Sequence, residues 1–72
     1  MTVEEALRKV GAIPLNGWST DYASMYARKA LELGPNSFKD QVPYVLSNLQ
    51  WWRAKEAKVI RSTLKVFLKG SK

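Results

Sequence analysis

The sequence predicts an all-α fold: a small three- to four-helix bundle in one domain, residues 1–72, ending in a long basic amphipathic helix. Three observations carry that prediction. Apolar residues recur at three- and four-residue spacing, and no stretch alternates as a strand would. Proline and glycine break the chain into segments of helical length. Seventy-two residues hold one domain at most, and with no cysteine neither a disulfide nor a thiolate metal site can brace it.

The first helix is expected over residues 2–10. Thr2 followed by Glu5 forms a capping-box pattern, and Glu4 and Glu5 suit the first turn. Val3, Ala6, Leu7 and Val10 share one face, and Gly11 is expected to close the helix in the left-handed conformation. "AIPLNG" then reads as a loop.

A second helix is expected over residues 20–33. Ser19 or Thr20 caps it, Asp21 suits its first turn, and Gly34-Pro35 ends it. Trp18 stands where a hydrophobic staple would pack back on the helix. Tyr22, Met25, Tyr26 and Leu33 mark one face, and Trp18, Tyr22, Met25 and Tyr26 are read as core. Ala23, Ala27 and Ala30 form a neighbouring stripe where another helix could approach closely.

Ser37 with Asp40 suggests a third start, near Asp40, which would keep Pro43 in the first turn, where its ring is tolerated. Val42, Val45, Leu46 and Leu49 follow as an apolar stripe. A single helix from 41 to 69 would exceed 40 Å at roughly 1.5 Å per residue. Ser47 and Asn48 are weak helix formers, so a break is expected there, with the last helix running from 49 to 69.

Projected at roughly 100° per residue, that last helix puts Leu49, Trp52, Ile60, Leu64 and Phe67 on a core face. Lys58, Arg61, Lys65 and Lys69 fall opposite, with Lys55 at the edge, Lys72 beyond the end and Trp51 above the lysines. Arg53 and Glu56 fall on the core side, three apart, and are expected to pair or mark an edge.

Charge placement selects the candidate function. Residues 1–50 carry five cations and five anions, whereas residues 51–72 carry seven cations and one anion, so the net +6 sits in the last third. Such asymmetry points to an anionic partner. The leading expectation is a small nucleic-acid-binding protein, DNA preferred over RNA, contacting phosphates through Trp51, Lys55, Lys58, Arg61, Lys65, Lys69 and Lys72. Lysine outnumbers arginine five to two after residue 50, which favours backbone contact over base readout; Arg61 is the candidate for a base edge. A helix-turn-helix variant would instead present Ser37, Phe38, Lys39 and Gln41, with Asp40 and Pro43 arguing against it.

The competing expectation is a protein-interaction or inhibitor module whose basic helix docks on an acidic surface, with Trp51 as anchor. A membrane-surface helix ranks below both, because its apolar face is better used as core. Without histidine, cysteine or a phosphate-binding glycine loop, neither an enzyme, a cofactor nor a metal is expected. Acids replace cations at the N-terminus and no apolar run follows, so a soluble, cytoplasmic chain is expected. Self-association would enlarge the small core, which makes a homodimer a candidate state.

Overall fold

The computed structural model describes residues 1–15, 17, 20–50 and 52–70. The described residues form four α-helices, α1 (Val3–Gly11), α2 (Thr20–Leu33), α3 (Phe38–Ser47) and α4 (Ala57–Gly70), with a 3-10 turn at Pro35–Ser37 and no strand. Helices α1 and α3 each pack against both α2 and α4, which places α2 and α4 on opposite sides of the bundle. The radius of gyration is 10.8 Å. The expected helical bundle is therefore present, but the last helix is 14 residues and not the long one expected.

Helix α1 starts as its sequence dictates. The Glu5 N–H donates to the Thr2 hydroxyl at 3.1 Å, and the Thr2 N–H donates to the Glu5 carboxylate at 3.3 Å. Hydrogen bonds from the Thr2 backbone, and then from its hydroxyl, hold the Glu5 carboxyl below its usual range.

The end of α1 differs from expectation. Gly11 is helical, and Ala12 caps the helix in the right-handed region. The Ala12 and Ile13 N–H groups already donate to the carbonyls of Arg8, Lys9 and Val10, the oxygens a left-handed cap would serve. The Arg28 Nε–H donates to the Gly11 carbonyl at 2.7 Å, and the buried Ser24 hydroxyl lies 3.1 Å from the same oxygen. The last helical carbonyl is thus satisfied from outside the helix, and no left-handed cap forms. Space is tight here: a Cβ would sit 3.2 Å from Arg28 Cγ, so that side chain would have to give by a few tenths of an ångström.

Helix α2 matches its expected span but turns a different face inward. Ala23, Ala27, Ala30 and Ser24 have no exposed surface, whereas Tyr22, Met25 and Leu33 are more than half exposed. The expectation that Tyr22 and Met25 form core is thus overturned, Tyr26 is only partly buried, and Leu33 on the same face is exposed too. The alanine stripe wins because α2 packs against both α1 and α3, and small residues let the three backbones come close. Trp18 and Ser19 lie outside the described residues.

Gly34 ends α2 with φ 97° and ψ 173°, a region that side chains rarely occupy. The Gly34 N–H donates to the Ala30 carbonyl at 2.9 Å. A Cβ there would meet nothing within 4 Å, so the constraint is purely one of backbone conformation. Gly34→Ala is expected to lower stability by about 1–3 kcal/mol in chemical denaturation. Gly70→Ala, with ordinary φ and open space, should stay within roughly 0.5 kcal/mol of the parent.

Helix α3 begins at Phe38, two residues before the expected start, because the 3-10 turn leads straight into it. Ser37 does not cap α3. Its hydroxyl donates back to the carbonyls of Gly34 (2.8 Å) and Ala30 (3.1 Å). Pro43 consequently lies inside the helix and leaves the Lys39 carbonyl without its intrahelical donor; both residues are exposed, so water can serve that oxygen.

The break expected at 47–48 is present. The Asn48 side-chain amide and the Ser47 hydroxyl both donate to the Tyr44 carbonyl, at 2.8 and 3.1 Å, and close α3.

No helix restarts at 49. Residues 52–56 are irregular, and α4 begins at Ala57. Had a helix begun at 49, the carbonyls of Leu49 and Trp52 would accept from backbone N–H groups four residues on. Instead both accept from Arg61 Nη1, at 3.2 and 2.7 Å, and the Leu49 carbonyl also accepts from the Trp52 N–H at 3.1 Å. The core still receives what the pattern assigned to it: Leu49, Ile60 and Leu64 are buried with Leu7, Val10, Val42 and Val45, and Trp52 and Phe67 pack on this cluster.

Candidate nucleic-acid interface

The candidate surface is built by α4. Ile60 and Leu64 fix its rotation by entering the core, with Ala57 buried beside them. Lys58, Lys65 and Lys69 then point outward within about 40° of arc, about 10 and 6 Å apart along the axis. All three are exposed, and α4 carries no acidic residue. Neighbouring lysines at this spacing lie within about one Debye length, ~10 Å, at 0.1 M salt, so the fields of adjacent pairs add. Together with Arg61, Ser62 and Val66 they line a shallow groove on the helix surface.

A second concavity adjoins the start of α4. Arg53, Lys55, Lys58 and Arg61 line it with Gln50 and Trp52. Lys55 is exposed, as expected, but stands in the turn before α4 and not on a helix. Arg53 is also exposed and faces this concavity, not the core. Sequence reasoning missed it because a helical projection was applied where the chain is not helical.

Of the two alternatives expected for Arg53 and Glu56, the edge is the one found: both are exposed and no ion pair joins them. Glu56 accepts from Lys9 Nζ at 3.1 Å, tying the turn to α1. Both side chains are about half exposed, so the bridge contributes little to stability. Its larger effect is to engage the acid nearest the cationic surface.

Arg61 is tied into the fold. It is half-buried, and its Nη1 is spent on the carbonyls of Leu49 and Trp52. A guanidinium held this way supports the connection before α4 and takes Nη1 out of contact with a partner. Trp51 and Lys72 lie outside the described residues. The structure therefore brings together Lys58, Lys65 and Lys69 on α4, with Lys55 near its start.

The helix-turn-helix variant fares poorly. Phe38 is buried and meets Phe67 edge-on at 6.4 Å between ring centres, and the Ser37 hydroxyl is engaged within the turn. Two of the four side chains it would present are thus used by the fold.

No protein-family model, curated protein or solved structure matches this chain. Its own geometry is what bears on function. Among the described residues, no cluster of acids could hold a metal ion. No described helix is long and apolar enough to cross a membrane.

Proposed function

We propose that the chain is a nucleic-acid-binding protein, a binder and not an enzyme, that holds phosphates through α4. Duplex DNA is the favoured ligand and the cytoplasm the expected setting. One observation carries the reading: Lys58, Lys65 and Lys69 form an exposed line on a helix without acids. Lysines act as point charges and grip phosphate without selecting sequence. With Arg61 engaged by the fold, the reading is of backbone contact and shape, with low sequence discrimination.

A second reading draws on a separate observation. Val59 and Val66, 52% and 67% exposed, lie seven residues apart beside the lysine line. An acidic protein surface with an apolar centre would use both features, with the lysines steering its approach.

Binding of a labelled duplex, a single strand and an RNA across a salt series separates the two. Phosphate binding predicts steep weakening with salt. Lys58→Ala with Lys65→Ala should lower the log–log slope by roughly two, about 0.9 per lost contact on duplex DNA. Absence of binding to all three at low salt would overturn the nucleic-acid reading.

A further inference from the structure

The outward face of α2 and α3 has a different character from α4. Tyr22, Met25, Leu33 and Tyr44 are each between 54% and 58% exposed. Tyr26 and Tyr44 stack across the two helices, with ring centres 5.2 Å apart and planes at 24°. Residues 22, 26, 29 and 33 follow a four-three-four spacing, the seam along which one helix meets another. Tyr22, Met25, Tyr26, Lys29 and Gln41 enclose a shallow, mainly apolar hollow on this face. We propose that this face docks a second copy of the same chain.

Charge selects that occupant. Helix α2 carries Asp21, Arg28, Lys29 and Glu32, and α3 carries Lys39 and Asp40, so each sums to zero with both signs present. A twofold interface must complement itself. A neutral face of mixed sign meets that condition; the acid-free face of α4 would repel its own copy. Lys29 lies within the apolar stripe, and Glu32 and Asp40 of a second copy are groups it could meet. Because α2 and α4 stand on opposite sides of the bundle, docking through α2 keeps both lysine lines apart and outward.

Area is consistent with a modest dimer. Five side chains exposing on the order of 100 Å² each give a patch of about 500 Å², at the upper end of what monomers display. A stable interface needs about 800 Å² per partner, so the polar rim supplies the rest. Tyrosine and methionine are enriched at such interfaces, and the Tyr26–Tyr44 stack holds two rings in place beforehand.

Sedimentation of the full chain without nucleic acid tests the proposal. Wild type should approach twice 8.2 kDa as concentration rises through the micromolar range, and its melting temperature should rise with it. Tyr22→Asp with Tyr44→Asp should weaken association by roughly 100-fold or more while leaving the helical circular dichroism intact, since both positions are exposed. Lys58→Ala with Lys65→Ala should leave the dimer unchanged, so failure of the nucleic-acid reading would not disturb this one. A wild type that stays monomeric at millimolar concentration overturns the proposal; if the tyrosine variant then also loses single-strand binding, the face is a base-stacking platform. A dimer that survives the tyrosine substitutions overturns it as well, by placing the contact elsewhere.

Discussion

Leu64→Ala is expected to destabilise the protein by about 2–5 kcal/mol, the range for removing a fully enclosed leucine. Leu64 has no exposed surface and joins α4 to the cluster of Leu7, Val10, Val42, Val45, Leu49 and Ile60. The loss must be set against total stability. At roughly 0.05–0.15 kcal/mol per residue, a chain of 72 residues is stable by about 4–11 kcal/mol. Removing three carbons at one position therefore uses up about half the margin. In urea, with a slope near 1 kcal/mol per molar for so small a protein, the midpoint should fall by about 2 M or more. Val66→Ala on the same helix is the control. That valine is 67% exposed, so its loss should change stability by no more than about 0.5 kcal/mol. Equal effects at the two positions would mean that α4 is not docked in this rotation.

Arg61→Ala should cost about 1.5–3 kcal/mol, the range for a hydrogen bond from a charged group, and more if the freed carbonyls stay dry. The guanidinium holds the carbonyls of Leu49 and Trp52, residues that enter or pack on the core from an irregular connection. Removing it releases the connection between α3 and α4. Arg61→Lys keeps the charge but loses the planar fork, so it should recover only part of the loss. The outcome separates support from recognition. A supporting Arg61 shows itself in denaturation midpoints, with nucleic-acid affinity little changed under conditions where the variant is folded. A base-reading Arg61 would show the reverse: lost affinity at unchanged stability.

Local signals account for what was legible in the sequence. The Thr2–Glu5 box, the Gly34-Pro35 stop and the Ser47-Asn48 pair act over three or four residues, and each stands where it was expected. The core positions of α4 were legible for the same reason, since Ile60, Leu64 and Phe67 repeat at helical spacing. What failed depended on contacts between distant parts of the chain. Arg61 reaches back 9 and 12 residues to the carbonyls of Trp52 and Leu49, and no local pattern announces that. Helix α2 offered two faces of low polarity, and size chose wrongly between them, because proximity to α1 and α3 favours methyl groups over rings. Of the candidate surface, the lysine line was legible from charge and periodicity. Arg53 was not, since its position follows from the absence of a helix around it.

The inward alanines of α2 reverse a common relation between side-chain size and tolerance to change. Ala23, Ala27 and Ala30 occupy positions with no spare volume, so growth there forces the backbones of neighbouring helices apart. The large residues of the same helix face outward and can be exchanged at little cost to the fold. On α2, then, selection can rewrite the outward chemistry while the inward one stays frozen, and the helix is able to change what it meets without changing what it is.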